Sequence, residues 1–391
     1  MENLKIIQIS TASPSLFLNS GKGDIRRIMS DDWFAQVGKQ IKKFNPKLEI
    51  ECWVQEKKYK KEEKFEDSGI KFRAFPSIIS IRPGMELSFK MIGALKEEIK
   101  NNKNKKLIIH IHEYHSWQTY LILLFLKRQK NIRIITQHHG GKSPFKNLKR
   151  YKRLILFLPL IMLMQIFENL LFKKIDLFYA FGNEEENYLK KITNSKIKFQ
   201  TMGIDDEYFK KIDKKKARKI LGLEQNKKYL LYLGRIKTTK GIGDLLEAIK
   251  GQEIELLLIG EGPDFNRFKQ YAENNNLKNV SFLGAIYNDE KLTYLSACDY
   301  LVLPSYTEGA PVVIMEALAK NMPVIATRVG GVANMIKQNE SGILINPKNP
   351  KEIREAINTI INWKEKDLRK YAEKYKWKEI VYETVKDYKE V

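Results

Sequence analysis

Short runs of β-branched and other apolar residues recur along this chain, separated by longer amphipathic stretches. That alternation predicts parallel β-sheets covered by helices, because a strand buried on both faces reads as a continuous apolar run and its crossover reads with helical period. In the first half the runs predict strands at 5–10, 48–54, 71–75, 106–112, 133–137, 175–181 and 197–201. A polar stretch from Gly203 to Asn226, with a basic helix at 214–220, interrupts the series. A second series then predicts strands at 228–233, 255–259, 280–282, 300–303, 323–326 and 342–345, each followed by a helical segment. The expected fold class is α/β, with two doubly wound Rossmann-like domains facing across a cleft and ligands at the carboxyl ends of the strands. The expected domains are residues 1–205 and 206–375, with a last helix at 376–391 that has no partner in its own series and crosses back to the first domain. Asn183-Glu184-Glu185-Glu186 is a capping-box-like helix start with Asn183 as the N-cap.

A length of 391 residues suits two cores rather than one, and 43% hydrophobic with 30% charged residues is a globular composition. Met1-Glu2-Asn3 runs directly into a strand-like segment, so no export leader is expected. Cys52 and Cys298 are far apart and have no metal-ligand spacing, which fits a reducing cytoplasm. The net charge of +23 calls for tolerance of anionic partners such as phosphorylated ligands, an acidic membrane surface or nucleic acid. Lysine-rich tracts at 56–66 and 100–106 lie beside acids and asparagines and read as solvated surface. No aromatic RNA-binding signature, zinc spacing or basic heptad supports a specific nucleic-acid partner.

One segment departs from the globular pattern. Residues 154–164 are apolar on all sides and follow Lys142, Lys146, Lys149, Arg150, Lys152 and Arg153 with no acid among them. Eleven residues cannot span a bilayer, which takes about 20. A basic approach leading into an apolar helix is the pattern of an interfacial helix, so residues 142–172 are expected to hold the chain peripherally on an anionic inner membrane face; a core helix is the alternative.

The most informative stretch is 305–317, Ser-Tyr-Thr-Glu-Gly-Ala-Pro-Val-Val-Ile-Met-Glu-Ala. It sets Glu308 and Glu316 across a loop-to-helix junction. Eight residues apart within one helix would leave the two side chains about 80° apart, so Glu308 is placed in the loop. Pro311 suits a first helical turn and Gly309 a tight entry. The N–H groups from Gly309 through Ala310 to Val312 would then face a bound anion.

Around this stretch stand, in order, Gly234-Arg235-Ile236-Lys237-Thr238-Thr239-Lys240-Gly241, Gly260-Glu261-Gly262-Pro263, Val280-Ser281-Phe282-Leu283-Gly284, Pro323-Val324-Ile325-Ala326 and Gly330-Gly331. The series resembles the retaining GT-B glycosyltransferases of family 4, most specifically over 229–347. The resemblance implies transfer of a hexosyl group from a UDP- or GDP-sugar to a lipid-linked or envelope-polysaccharide acceptor. Arg235 and Lys240 would clamp the donor diphosphate, Glu308 would face the donor sugar or its phosphate, and Glu316 would bind the ribose. Gly309, Ala310, Pro311 and Val312 would form the phosphate seat. No Asp-x-Asp motif is present, so a metal-independent reaction without cofactor is implied, with the leaving phosphate as base in a same-face attack.

In the first domain the family's Thr-x-His pattern falls on Thr136-Gln137-His138-His139-Gly140, with His138 or His139 as the catalytic histidine and His138 favoured. Gly21 and Gly23, behind an insertion at 11–20, stand for the family's first glycine loop and join the donor-binding set. His110, His112 and His115 cluster at a strand end, and alternation makes them cleft-lining or core histidines rather than a metal site. Asn321 replaces the glycine usual before the Pro-Val strand and tolerates the same left-handed backbone. The competing reading is a non-catalytic nucleotide-sugar or nucleic-acid binding protein of the same fold.

Overall fold

A computed structural model describes residues 4–13, 24–80, 86–126, 130–138, 166, 168–364 and 366–391. Two compact units emerge, one of Met1–Gln200 with Val381–Val391 and one of Thr201–Ile380.

In the first unit the apolar runs become β1 (Leu4–Ser10), β2 (Glu49–Glu56), β3 (Glu63–Asp67), β4 (Ile70–Pro76), a two-stranded ribbon of β5 (Ile79–Ser80) and β6 (Glu86–Leu87), then β7 (Lys106–His112), β8 (Ile132–Gln137), β9 (Leu177–Ala180) and β10 (Lys196–Phe199). The main sheet has the order β10-β9-β8-β7-β1-β2-β4-β3. Every pair in it is parallel except β3 with β4. Strand order reverses between β1 and β7, which is where a doubly wound sheet opens a crevice at its carboxyl ends. Ile7, Ile9, Trp53, Ile109 and Ile111 are almost fully buried in the core beneath it. Each such side chain contributes about 1.5–3 kcal/mol by leaving water.

Strand β3 lies within the tract that reads as solvated lysine. Its residues alternate between half-buried and exposed, and Phe65 stacks on Phe72 of β4 at 4.7 Å. A charged edge strand of this kind pairs on one side and discourages pairing on the other.

The second unit is regular. Strands β11 (Tyr229–Leu233), β12 (Glu255–Ile259), β13 (Val280–Gly284), β14 (Tyr300–Leu303), β15 (Val324–Thr327) and β16 (Gly342–Ile345) form a wholly parallel sheet in the order β13-β12-β11-β14-β15-β16. Its reversal lies between β11 and β14. The loops that leave these two strands begin with Gly234-Arg235 and Pro304-Ser305, so the crevice falls at the motifs.

The last helix, Trp377–Glu390, starts in the second unit, and its stretch from Val381 onward belongs to the first. There Tyr388 Oη accepts from Gln8 Nε2 at 2.9 Å and sits 2.6 Å from His110 Nδ1. Asp387 accepts from Tyr179 Oη at 3.0 Å and pairs with Lys198.

Candidate functional site

The loop after β14 is held by its own side chains. Glu308 accepts from Lys240 Nζ at 2.6 Å and from Ser305 Oγ at 2.6 Å. Tyr306 N donates to Thr239 O at 2.9 Å, which ties this loop to the one after β11. Close backbone packing demands glycine here. A Cβ on Gly330, whose φ is +54°, would stand 1.9 Å from Glu308 O, and one on Gly241, φ +70°, would stand 2.0 Å from Pro304 O. Either contact is far inside van der Waals distance, so no larger residue fits without moving the loop.

Helix Val312–Ala319 follows, and Pro311 is its N-cap rather than a residue of its first turn, with φ −69° and ψ 116°. Proline brings no N–H. The donors expected between Gly309 and Val312 therefore exclude residue 311, while the first-turn groups of Val312 and Val313 lack intrahelical acceptors. Gly309 contributes its carbonyl, which accepts from Gly331 N at 2.7 Å.

Glu316, on the buried face of this helix, pairs through Oε1 with Lys291 Nζ at 2.7 Å. Its Oε2 is buried and has no hydrogen-bond partner. Tyr208 borders the carboxylate: Lys291 Nζ lies 5.4 Å from its ring centre, and its phenol is pushed well above the ordinary range, first by burial and then by the charge of Glu316. A buried carboxylate oxygen left bare costs free energy that a ligand hydroxyl would recover.

Arg235 is exposed, and among the described residues its guanidinium has no ion-pair partner. Its carbonyl accepts from Tyr232 Oη at 3.0 Å. Lys240, Glu308 and Gly309 are thus brought together with Ser305 and Gly331, while Glu316 is linked to Lys291 and Tyr208, two residues that the motif reading did not single out.

In the first unit His138 follows β8, and its Nδ1 lies 2.8 Å from Glu113 Oε1. An ionised carboxylate only accepts, so Nδ1 carries the proton. Glu113 also accepts from His115 N at 3.1 Å. Burial alone would raise its pKa, but the charge and hydrogen bond of His138 bring it below the ordinary value. Glu113 has a φ of +88°, an unfavourable backbone for a side chain with Cβ. Thr119 Oγ1 on its carbonyl at 2.7 Å and its own N on Gln137 O at 2.6 Å hold it there. The signal in the sequence was an acid directly after an apolar strand, at the reversal of the sheet.

The other described histidines are internal. His110 is fully buried and its pKa is pushed down to about 3 by burial, which keeps it neutral. His112 pairs with Gln8, and His115 Nδ1 lies 2.8 Å from Glu168. Among the described residues no group of three or more His, Cys, Asp and Glu is placed to hold a metal ion. Asn321 has φ +62°, and its Oδ1 accepts from Leu368 N at 2.8 Å. Gly21, Gly23, His139 and nearly all of 142–167 lie outside the described residues; within them, no helix is long and apolar enough to cross a membrane.

Residues 213–377 match the family model for glycosyl transferases group 1. An uncharacterized glycosyltransferase of Methanocaldococcus jannaschii is 32% identical over 182 residues, 44% of this chain and 51% of that protein. The N-acetyl-alpha-D-glucosaminyl L-malate synthase of Bacillus anthracis is 31% identical over 146 residues, 36% of this chain and 38% of that protein. The chain thus spans about half the length or less of these curated relatives. Similarity in fold is broader. Sucrose-phosphate synthase from Thermosynechococcus elongatus matches with a TM-score of 0.72 at 20% identity, over 99% of this chain and 98% of that one. Anabaena HepE, in complex with UDP, matches at 0.68 and 16% identity, over 99% and 100%. The two units have the GT-B fold; the motif loops described above lie within the matched residues 213–377, and Glu113 with His138 lies outside them.

Proposed function

We propose that this chain is a retaining, metal-independent glycosyltransferase that moves a hexosyl group from a UDP- or GDP-sugar to a lipid-linked or envelope-polysaccharide acceptor. The observation that carries the reading is Glu316, a buried carboxylate with one oxygen on Lys291 and the other bare. A ribose diol supplies the hydroxyl that oxygen lacks, with Lys291 and Tyr208 shifting to admit it. Lys240 and the unpaired Arg235 stabilise charge that grows on the departing diphosphate, where such groups lower the barrier most. Glu308 fixes Lys240 and faces the donor sugar. The HepE fold relative has been crystallised with UDP-glucose, which supports a nucleotide-sugar donor. In the first unit, which takes the acceptor, His138 is the catalytic histidine and Glu113 positions its ring.

A panel of UDP-, GDP- and ADP-sugars, with and without chelator, tests this. One donor should be hydrolysed or transferred with retention, read from the anomeric proton. Glu316→Ala should weaken that donor about 10- to 100-fold, the size of a lost hydrogen bond to a charged group. Lys240→Ala should lower kcat by about 100-fold. Binding without turnover would favour the non-catalytic alternative, and unchanged kinetics in both variants would refute the roles.

Peripheral membrane association through residues 142–172 belongs to the same proposal and rests on the sequence pattern alone. Vesicles containing anionic phospholipid should float the wild-type chain and not Leu156→Lys with Leu160→Lys. Equal flotation of both would remove the interfacial helix.

A further inference from the structure

The amino-terminal edge of the second sheet, opposite the motif loops, holds a cavity of about 630 Å³. Lys228 stands just before β11, Tyr300 opens β14 and Pro323 precedes β15, so the cavity is at the far end of the strands from Glu308 and Lys240. The volume accommodates a small organic ligand.

Its charge is one-sided. Seven lysine and arginine side chains line it against three aspartates. The aspartates are already engaged. Asp299 binds Lys214 at 2.9 Å, Arg218 at 2.7 Å and Tyr229 N at 2.8 Å. Asp213 caps its helix by accepting from Lys216 N at 2.8 Å, and Asp367 accepts from Arg369 N at 3.2 Å.

Of these cations only Lys214 has a carboxylate partner among the described residues. Lys320 Nζ reaches only carbonyls, those of Lys210 at 2.9 Å and Glu207 at 3.3 Å. Burial and then the neighbouring Arg369 lower its pKa. Arg369 Nε is buried without a hydrogen-bond partner, and so is the indole N–H of Trp363. The left-handed turn at Asn321, whose side chain holds Leu368 N, brings the Arg369 segment against Lys320. Lys366 lies 5.2 Å from the Trp363 ring centre. Unsatisfied buried donors beside unpaired cations lack one thing, an acceptor with negative charge.

We propose that this cavity binds a phosphorylated ligand, with the phosphoryl oxygens on Lys320, Arg369 and the Trp363 indole N–H. It is independent of the donor site and of the glycosyltransferase reading. Phosphomonoesters and diphosphates share the chemistry, whether they come as soluble metabolites or as phospholipid headgroups.

The test uses the full chain carrying Lys240→Ala, so that the motif loops do not contribute. Inorganic pyrophosphate is titrated by calorimetry, and vesicles of phosphatidic acid in phosphatidylcholine are titrated by flotation. Each is repeated with Lys320→Gln and Arg369→Gln added together. A tenfold or greater loss of pyrophosphate affinity in the added variant establishes the site for soluble phosphates. Loss of vesicle binding alone establishes it for headgroups. If neither probe binds more weakly to the added variant, the proposal is overturned. Should that variant fail to fold, Lys210→Gln with Lys366→Gln, both exposed, decides: a several-fold loss for either probe supports the site, and none overturns it.

Discussion

Glu113 combines a φ of +88° with a partly buried pairing to His138 2.8 Å away. Such a backbone costs about 1–3 kcal/mol and persists only where its surroundings over-determine it. Its ionisation has a sign that can be checked. The folded pKa lies below the ordinary 4.5, so the proton is bound more weakly in the folded chain. The pair therefore contributes stability that is fully present above pH 4.5 and is lost as pH falls through the lower folded value. Glu113→Gln keeps an acceptor and removes the charge. Between pH 7 and 3 its melting temperature should fall less steeply than that of the wild-type chain, and kcat should drop about tenfold or more while donor KM stays within twofold. Parallel melting curves would show that Glu113 is not ionised against His138. A fall in donor binding alone would show that it does not position the histidine.

Among the elements, what sequence could reveal follows from how local the determinant is. Strands β11, β12 and β14 are apolar runs bounded by glycine, proline or charge, and period and punctuation suffice to locate them. Strand β3 escaped because its side chains are charged in a half-exposed edge, where only Phe65 marks the inner face. Asn183 is the first residue of helix Asn183–Ile192, not its cap; Gly182 occupies that place, and Glu185 reaches back to Phe181 N at 2.8 Å. The acid at the right offset was visible, but the cap depended on a backbone turn that no side chain announces. The same division governs the candidate site. Glycines 241 and 330, Lys240 and Glu308 lie in short loops whose spacing encodes their meeting. Lys291 reaches Glu316 from helix Asn288–Ala297 and Tyr208 from a separate turn at Asp206–Phe209. No period or motif in either segment points to a carboxylate elsewhere in the chain, because the association is made by packing alone.

At the level of the whole molecule, the chain ends by completing the unit in which it began. Thr384, Val385, Asp387 and Tyr388 are all buried there, and Tyr388 connects β1 to β7 through Gln8 and His110. These are the two strands between which the order of the first sheet reverses, so the terminal helix braces the part of that sheet on which Glu113 and His138 depend. His110 remains neutral because burial holds its pKa down to about 3, and it contributes no charge that could replace the lost phenol. Tyr388→Phe keeps the ring and deletes the hydroxyl, leaving Gln8 Nε2 and His110 Nδ1 buried without their shared partner. The cost should be about 1–3 kcal/mol, confined to the first unit. Hydrogen exchange on the full chain reads this by strand. Amides of β1 and β7 should lose protection by about 10- to 100-fold while those of β11 and β14 keep theirs. If β1 and β7 exchange as in the wild-type chain, Tyr388 is packing and not a brace. If all four strands lose protection together, the two units unfold as one and the terminal helix acts on the whole chain.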